Sequence, residues 1–193
     1  MYLPEAAAKL AQRYSFAKYP SLEELLKATQ SFSVGSFKGV QIQELSIYSD
    51  GVIVSSRSDT DVLDAFLDDL FAWVASELGI VPVVTNRPEK YYESTLVVKS
   101  ETDLALATKP VKDVVDAFNR IWRKKYFETD YATSGFLLHC DAHQFKGRRN
   151  PLHFGVERRL GVSFEENIFF SMAPLGTKDH LDFLARLENL ARA

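Results

Sequence analysis

Two histidines and an aspartate alternate along one short stretch, His139, Asp141 and His143. On a strand, side chains alternate between faces, so these three share one, with like positions about 7 Å apart. Neutral imidazoles and carboxylates are ligands for zinc and related divalent metals, and a metal held this way can activate water for hydrolysis. His153 and Glu157 join the row if the next strand pairs with it as a hairpin. That depends on register, because a one-residue slip moves every side chain to the other face. The wet face of an antiparallel sheet alternates in the same way, and no HExxH or other hydrolase signature accompanies the row.

The opposite side of the stretch reads Phe136, Leu138, Cys140 and Ala142. Cys140, the only cysteine, is therefore expected on the apolar side as an inert core residue. A Cys140–His139 nucleophile–base pair is disfavoured, since adjacent strand residues point apart. Ser171 has no evident base beside it in the sequence. Gly-rich phosphate loops and the GxSxG elbow are absent.

Two charged sets offer binding rather than catalysis. Asp61, Asp64, Asp68 and Asp69 fall on the polar face of a helix, where neighbours three and four apart meet. They could receive a basic protein or a cation, or face solvent. The loop with Lys146, Arg148 and Arg149 is basic, and it lies in a region (109–159) with 11 Lys/Arg against 6 Asp/Glu. Such a set can contact a phosphate backbone. The whole chain nonetheless has a net charge of −3, and no nucleic-acid-binding motif appears.

The elements that must carry these residues follow from periodicity and turn chemistry. A first helix covers 4–14, and Ser21 with Glu24 makes a capping box for a short helix over about 21–29. Val40, Ile42, Leu45 and Ile47 alternate with one slip, predicting a strand with a bulge near Gln43–Glu44. Ser49-Asp50-Gly51 turns it into a second strand, giving a hairpin over 40–57. Apolar residues recur with a helical period over 60–78, closed by Gly79, and again over 109–127 and 177–191. The last helix is expected to bury Leu181, Leu184, Leu187 and Leu190. A strand fits 90–99, and a three-strand meander fits 134–172. Adjacent aromatics such as Phe169-Phe170 imply a strand apolar on both faces, as a central strand or one with a partner surface.

The expected fold class is α+β, with mostly antiparallel sheet packed against helices 60–78, 109–127 and 177–191. At 193 residues a single domain is the prior, with a subdivision, if any, near 100–109. No apolar run approaches a membrane span, and the first residues lack a signal-peptide pattern. One cysteine fits a reducing compartment, so a cytoplasmic location without a membrane partner is expected. No cofactor is called for, a divalent metal being the one alternative.

A full-size core with no catalytic signature favours a non-enzymatic protein-binding module. Its nearest analogues would be small partner-neutralising immunity or phage accessory proteins, an analogy at the level of size and charge. The alternatives are a metal-dependent hydrolase built on His139, Asp141, His143, His153 and Glu157, and a nucleic-acid-binding protein using segment 120–159.

Overall fold

The computed structural model describes residues 3–79, 90–105, 109–123, 131–141 and 152–192. The chain divides into two compact units, Met1–Glu89 and Lys90–Ala193. Both combine helices with one antiparallel sheet, so the fold class is α+β.

The first unit runs α1 (Leu3–Arg13), β1 (Thr29–Phe37), β2 (Val40–Tyr48), β3 (Val52–Ser56) and α2 (Thr60–Leu78). Its sheet has the order β1-β2-β3. The predicted hairpin is β2–β3, closed by Tyr48 N–H donating to Gly51 O at 2.8 Å. Its register shifts between Ile42 and Glu44, where the alternation slips. That shift lets Ile42 and Leu45, three apart, both be fully buried. α2 ends on Gly79 in the left-handed conformation, φ 62°.

The sequence reading misses β1. Residues 21–29 form only a 3₁₀ turn at Glu24–Leu26, although the Ser21–Glu24 capping box is present, with bonds of 2.9 and 3.4 Å. β1 is hard to read because its apolar residues do not alternate. Phe32 and Phe37 are both buried at an odd spacing, and between them Val34 takes φ 59°. That conformation is rare for a β-branched residue. Val34 stands across from Gln43, since Ser33 pairs Glu44 and Gly35 pairs Ile42, so both strands are irregular at the same level. Gly35 next to it has no side chain for a packing reason: a Cβ there would lie 2.4 Å from the Phe16 ring.

The core of this unit joins α1, α2 and the inner sheet face through Leu10, Tyr14, Phe16, Phe32, Phe37, Ile42, Leu45, Phe66 and Leu70. Tyr14, Phe37 and Phe66 meet edge to face, with ring centroids 4.8 to 6.3 Å apart.

The second unit contains β4 (Ser94–Lys99), α3 (Lys109–Trp122), β5 (Gly135–Leu138), β6 (Phe154–Arg158), β7 (Ile168–Ala173) and α4 (Thr177–Arg192). The sheet order is β4-β7-β6-β5, all antiparallel. β5, β6 and β7 form the expected meander, and β7 is central. Cross-strand partners share a face. The inner face therefore carries Leu96 and Val98, Phe154 and Val156, and Phe169, Ser171 and Ala173, and it packs on Leu184 and Leu187 of α4.

Two helices differ from expectation. α4 turns His180, Leu184 and Leu187 inward, while Leu181 and Leu190 are exposed. The stripe is the same helical period started one residue earlier, with a histidine in the place assumed to be leucine. On α3 the apolar stripe is present, but Val111, Val114, Phe118 and Ile121 stand exposed. Its anchor is polar: Asn119 donates to Tyr131 O and accepts from Tyr131 N–H, both at 2.8 Å.

Candidate functional site

β5 ends with Leu138 paired to Phe154, and the next pair in that register is His139 with His153. Their ring centroids lie 5.1 Å apart, with planes inclined by 32°. The register thus brings together two of the five candidate metal ligands. Glu157 pairs with Gly135 on the same face, but it lies four residues along β6 from His153, about 13 Å away. Asp141 is exposed beyond the end of β5. His143 lies outside the described residues, as do Lys146, Arg148 and Arg149. Among the described residues, no three His, Cys, Asp or Glu side chains converge on a common point.

Cys140 is exposed rather than buried. The alternation that assigned it to the core holds only while the chain is paired, and pairing stops two residues earlier at Leu138.

The same sheet face explains the neighbourhood of the histidine pair. Leu137 pairs with Gly155, Gly155 with Met172, and Phe170 with Val97. Leu137, Phe170 and Val97 retain 46, 41 and 54% of their surface in contact with solvent. Met172 is half-buried beside them. Gly155 lets the Leu137 side chain lie over β6 beside the His153 ring: a Cβ there would sit 2.8 Å from Leu137 Cδ2 and 3.5 Å from the His153 ring. Glu157 stands directly beside Phe170 on the side away from Val97, Lys99 lies beyond Val97, and His139 and His153 border the end nearest Leu137. The aromatic pair Phe169-Phe170 is resolved by this geometry, with Phe169 fully buried and Phe170 on the outer surface.

On the inner face lies a polar group the sequence reading did not assemble. His180 is fully buried. Its Nδ1 is 2.7 Å from Ser94 Oγ, and its Nε2 is 2.8 Å from Ser171 Oγ. Ser171 donates its own proton to Gly155 O at 2.9 Å. It can therefore only accept from the imidazole, which fixes the proton on Nε2 and makes Nδ1 the acceptor for Ser94. Every polar atom of the chain Ser94–His180–Ser171–Gly155 is satisfied with the imidazole neutral. Burial lowers the His180 pKa from its ordinary value. The base missing beside Ser171 is thus present, but the pair is sealed inside the unit, with Ser171 fully buried. Its chemistry is that of a core hydrogen-bond network rather than an accessible nucleophile. A partial signal lay in the sequence: His180, Leu184 and Leu187 occupy positions i, i+4 and i+7 of one helix.

The acidic helix is less uniform than its sequence. Asp69 accepts from Tyr14 Oη at 2.6 Å and from Arg13 Nη2 at 2.9 Å. These bonds, the Tyr14 one first, hold its carboxyl below the usual range. Tyr14 is pushed up to about 12, chiefly by burial and then by its bond to that carboxylate. The Arg13 guanidinium also lies over the Trp73 ring, 5.7 Å from its centroid. Asp69 is therefore committed within the unit. Asp61 and Asp68 are exposed, and Asp64 is half-buried with a partner of its own.

Within the basic segment, Arg158 is also an internal residue. It pairs with Asp103, donates to Phe164 O at 2.9 Å and Thr133 O at 3.2 Å, and stacks on Phe164 at 4.4 Å. These contacts leave little of it for an external phosphate.

Fold and site together define a two-unit α+β chain whose second sheet has an exposed apolar outer face. Comparison with protein-family models, with curated proteins and with solved structures gives no match. No described helix is long and apolar enough to cross a membrane.

Proposed function

We propose that this chain is a non-catalytic, cytoplasmic protein-binding module that docks a protein partner on the outer face of the β4-β7-β6-β5 sheet. The observation that carries this reading is the exposure on one sheet face of the cross-strand pair Val97 and Phe170, with Leu137 in the next row beyond half-buried Met172 and Gly155. A contiguous apolar patch bordered by charged and polar residues is the usual mark of a protein interface. Phe170 is the central aromatic of the patch and the residue expected to contribute most to binding. The partner would present an apolar surface of its own and would be neutralised or held by occupation rather than by turnover. A free, exposed Cys140 suits a reducing compartment.

A photo-crosslinking residue placed at position 170 in the native host tests this. One discrete adduct is expected, and the same protein should co-purify with the unmodified chain but not with a Val97→Asp/Phe170→Asp variant of unchanged melting temperature. Absence of an adduct, or retention of the partner by the double variant, overturns the proposal.

A further inference from the structure

We propose that His139 and His153 form a two-point site for a borderline divalent cation of the zinc and copper type. Four observations support it. The two residues flank the last pair of β5 and β6, Leu138 with Phe154, which brings them side by side at the end of the ladder. Their ring centroids are 5.1 Å apart. With zinc–nitrogen bonds of about 2.1 Å and a tetrahedral angle, two coordinated imidazole centroids stand about 5 Å apart, so this ring separation is compatible with a shared ion. The His153 ring lies over Gly155 on the outer face, where a Cβ would be in ordinary contact with its Cδ2 and Nε2 at 3.5 and 3.8 Å. Finally, His139 is exposed and His153 half-buried at the border of the sheet, so a cation can enter without opening the core.

Two imidazoles select zinc, copper or nickel over calcium or magnesium, which prefer oxygen ligands. The remaining positions would be filled by water, leaving an open site. The site does not depend on partner docking, because both ligands come from this chain. Nor does it require the hydrolase arrangement, since Glu157 is too far along β6 to reach the same ion.

Titration of the full chain with zinc chloride and with copper chloride in a non-coordinating buffer tests the proposal, read by calorimetry and by ¹⁵N chemical shifts of the imidazoles. Saturable one-to-one uptake is expected. The His139 and His153 resonances should move together, and those of buried His180 should stay fixed. His139→Asn and His153→Asn should each weaken binding by at least about tenfold. Even outer-shell partners of a metal ligand are typically worth that much, and these are the ligands themselves. Binding that survives either substitution, or zinc-dependent shifts that bypass both histidines, would overturn the site, as would the absence of saturable uptake. The shift measurement uses the unaltered protein, so a poorly folding variant does not blunt the test.

Discussion

The two sheets of this chain differ in the polar groups they admit to the core and the apolar ones they leave outside. In the first unit the inner face is aromatic and aliphatic, and the outer face carries Ser31, Glu44 and Ser46 joined by hydrogen bonds of 2.6 to 3.2 Å. In the second unit the inner face holds the Ser94–His180–Ser171 chain, and the outer face exposes Val97, Leu137 and Phe170. The first sheet keeps its inner face apolar, and its outer face sets exposed Ile53 and Tyr48 beside the serine–glutamate cluster. The second also has an apolar inner face, but it admits one polar chain there. Inside, that chain costs little because every polar atom is paired. Outside, Val97, Leu137 and Phe170 leave apolar area in water that a second surface would cover. On the function proposed above, that outer face is where a partner would bind.

The largest effect should come from the conventional core. Phe66→Ala, which empties the centre of the Tyr14–Phe37–Phe66 cluster, should cost about 3–5 kcal/mol in chemical denaturation. Next is the core of the second unit. His180→Ala removes a fully buried ring and leaves the Ser94 hydroxyl without its acceptor, for an expected loss of about 2–4 kcal/mol. A loss under about 1 kcal/mol would mean the network is not closed as described, and the comparison of the two cores would fail.

Acid separates the units further. Because the folded pKa of His180 is lowered, the unfolded chain binds its proton more readily. This contribution to stability is complete above about pH 6.5 and is lost as pH falls below it. In the first unit, Asp69 and Glu44 have lowered carboxyl pKa values, and their contributions hold until pH falls below about 4. Melting curves between pH 7 and 5 should therefore show a decline that His180→Leu flattens and Asp69→Asn does not.

Smaller effects follow at the surfaces. Arg13→Ala should cost about 1 kcal/mol or less, since the Arg13–Asp69 pair is substantially solvent-exposed. Phe170→Lys, which places a cation opposite Glu157, should cost no more than about 1 kcal/mol while removing partner binding. A destabilisation of several kcal/mol there would show that the outer face is structural, erasing the distinction drawn between the sheets.

Local chemistry was legible in the sequence, and tertiary consequences were not. The helix at 60–78, the β2–β3 hairpin with its bulge and the β5–β6–β7 meander are set by short-range patterns, and those patterns are strong here. β1 escaped because Val34 and Gly35 break its alternation, an irregularity that makes sense only opposite the β2 bulge and beneath Phe16. The candidate site was half legible. The alternation that placed His139 on a face shared with His153 depended on a register the sequence left open. Cys140 was misplaced because the strand ended before it. His180 was overlooked because a histidine on an apolar helical stripe has no meaning until the serines of two strands are known to face it. The internal role of Arg158 is illegible for the same reason: its carboxylate partner, Asp103, is distant in sequence.

The hydrogen-bonded chain at His180 has one more consequence, in time rather than in energy. The proton on its Nε2 is held between the imidazole and Ser171, with no solvent contact. It can exchange with water only when the helix carrying His180 lifts from the sheet beneath it. That single proton is therefore a clock for the opening of the second unit. Its exchange rate reads how often the inner face is laid bare, in the intact chain and without any probe attached.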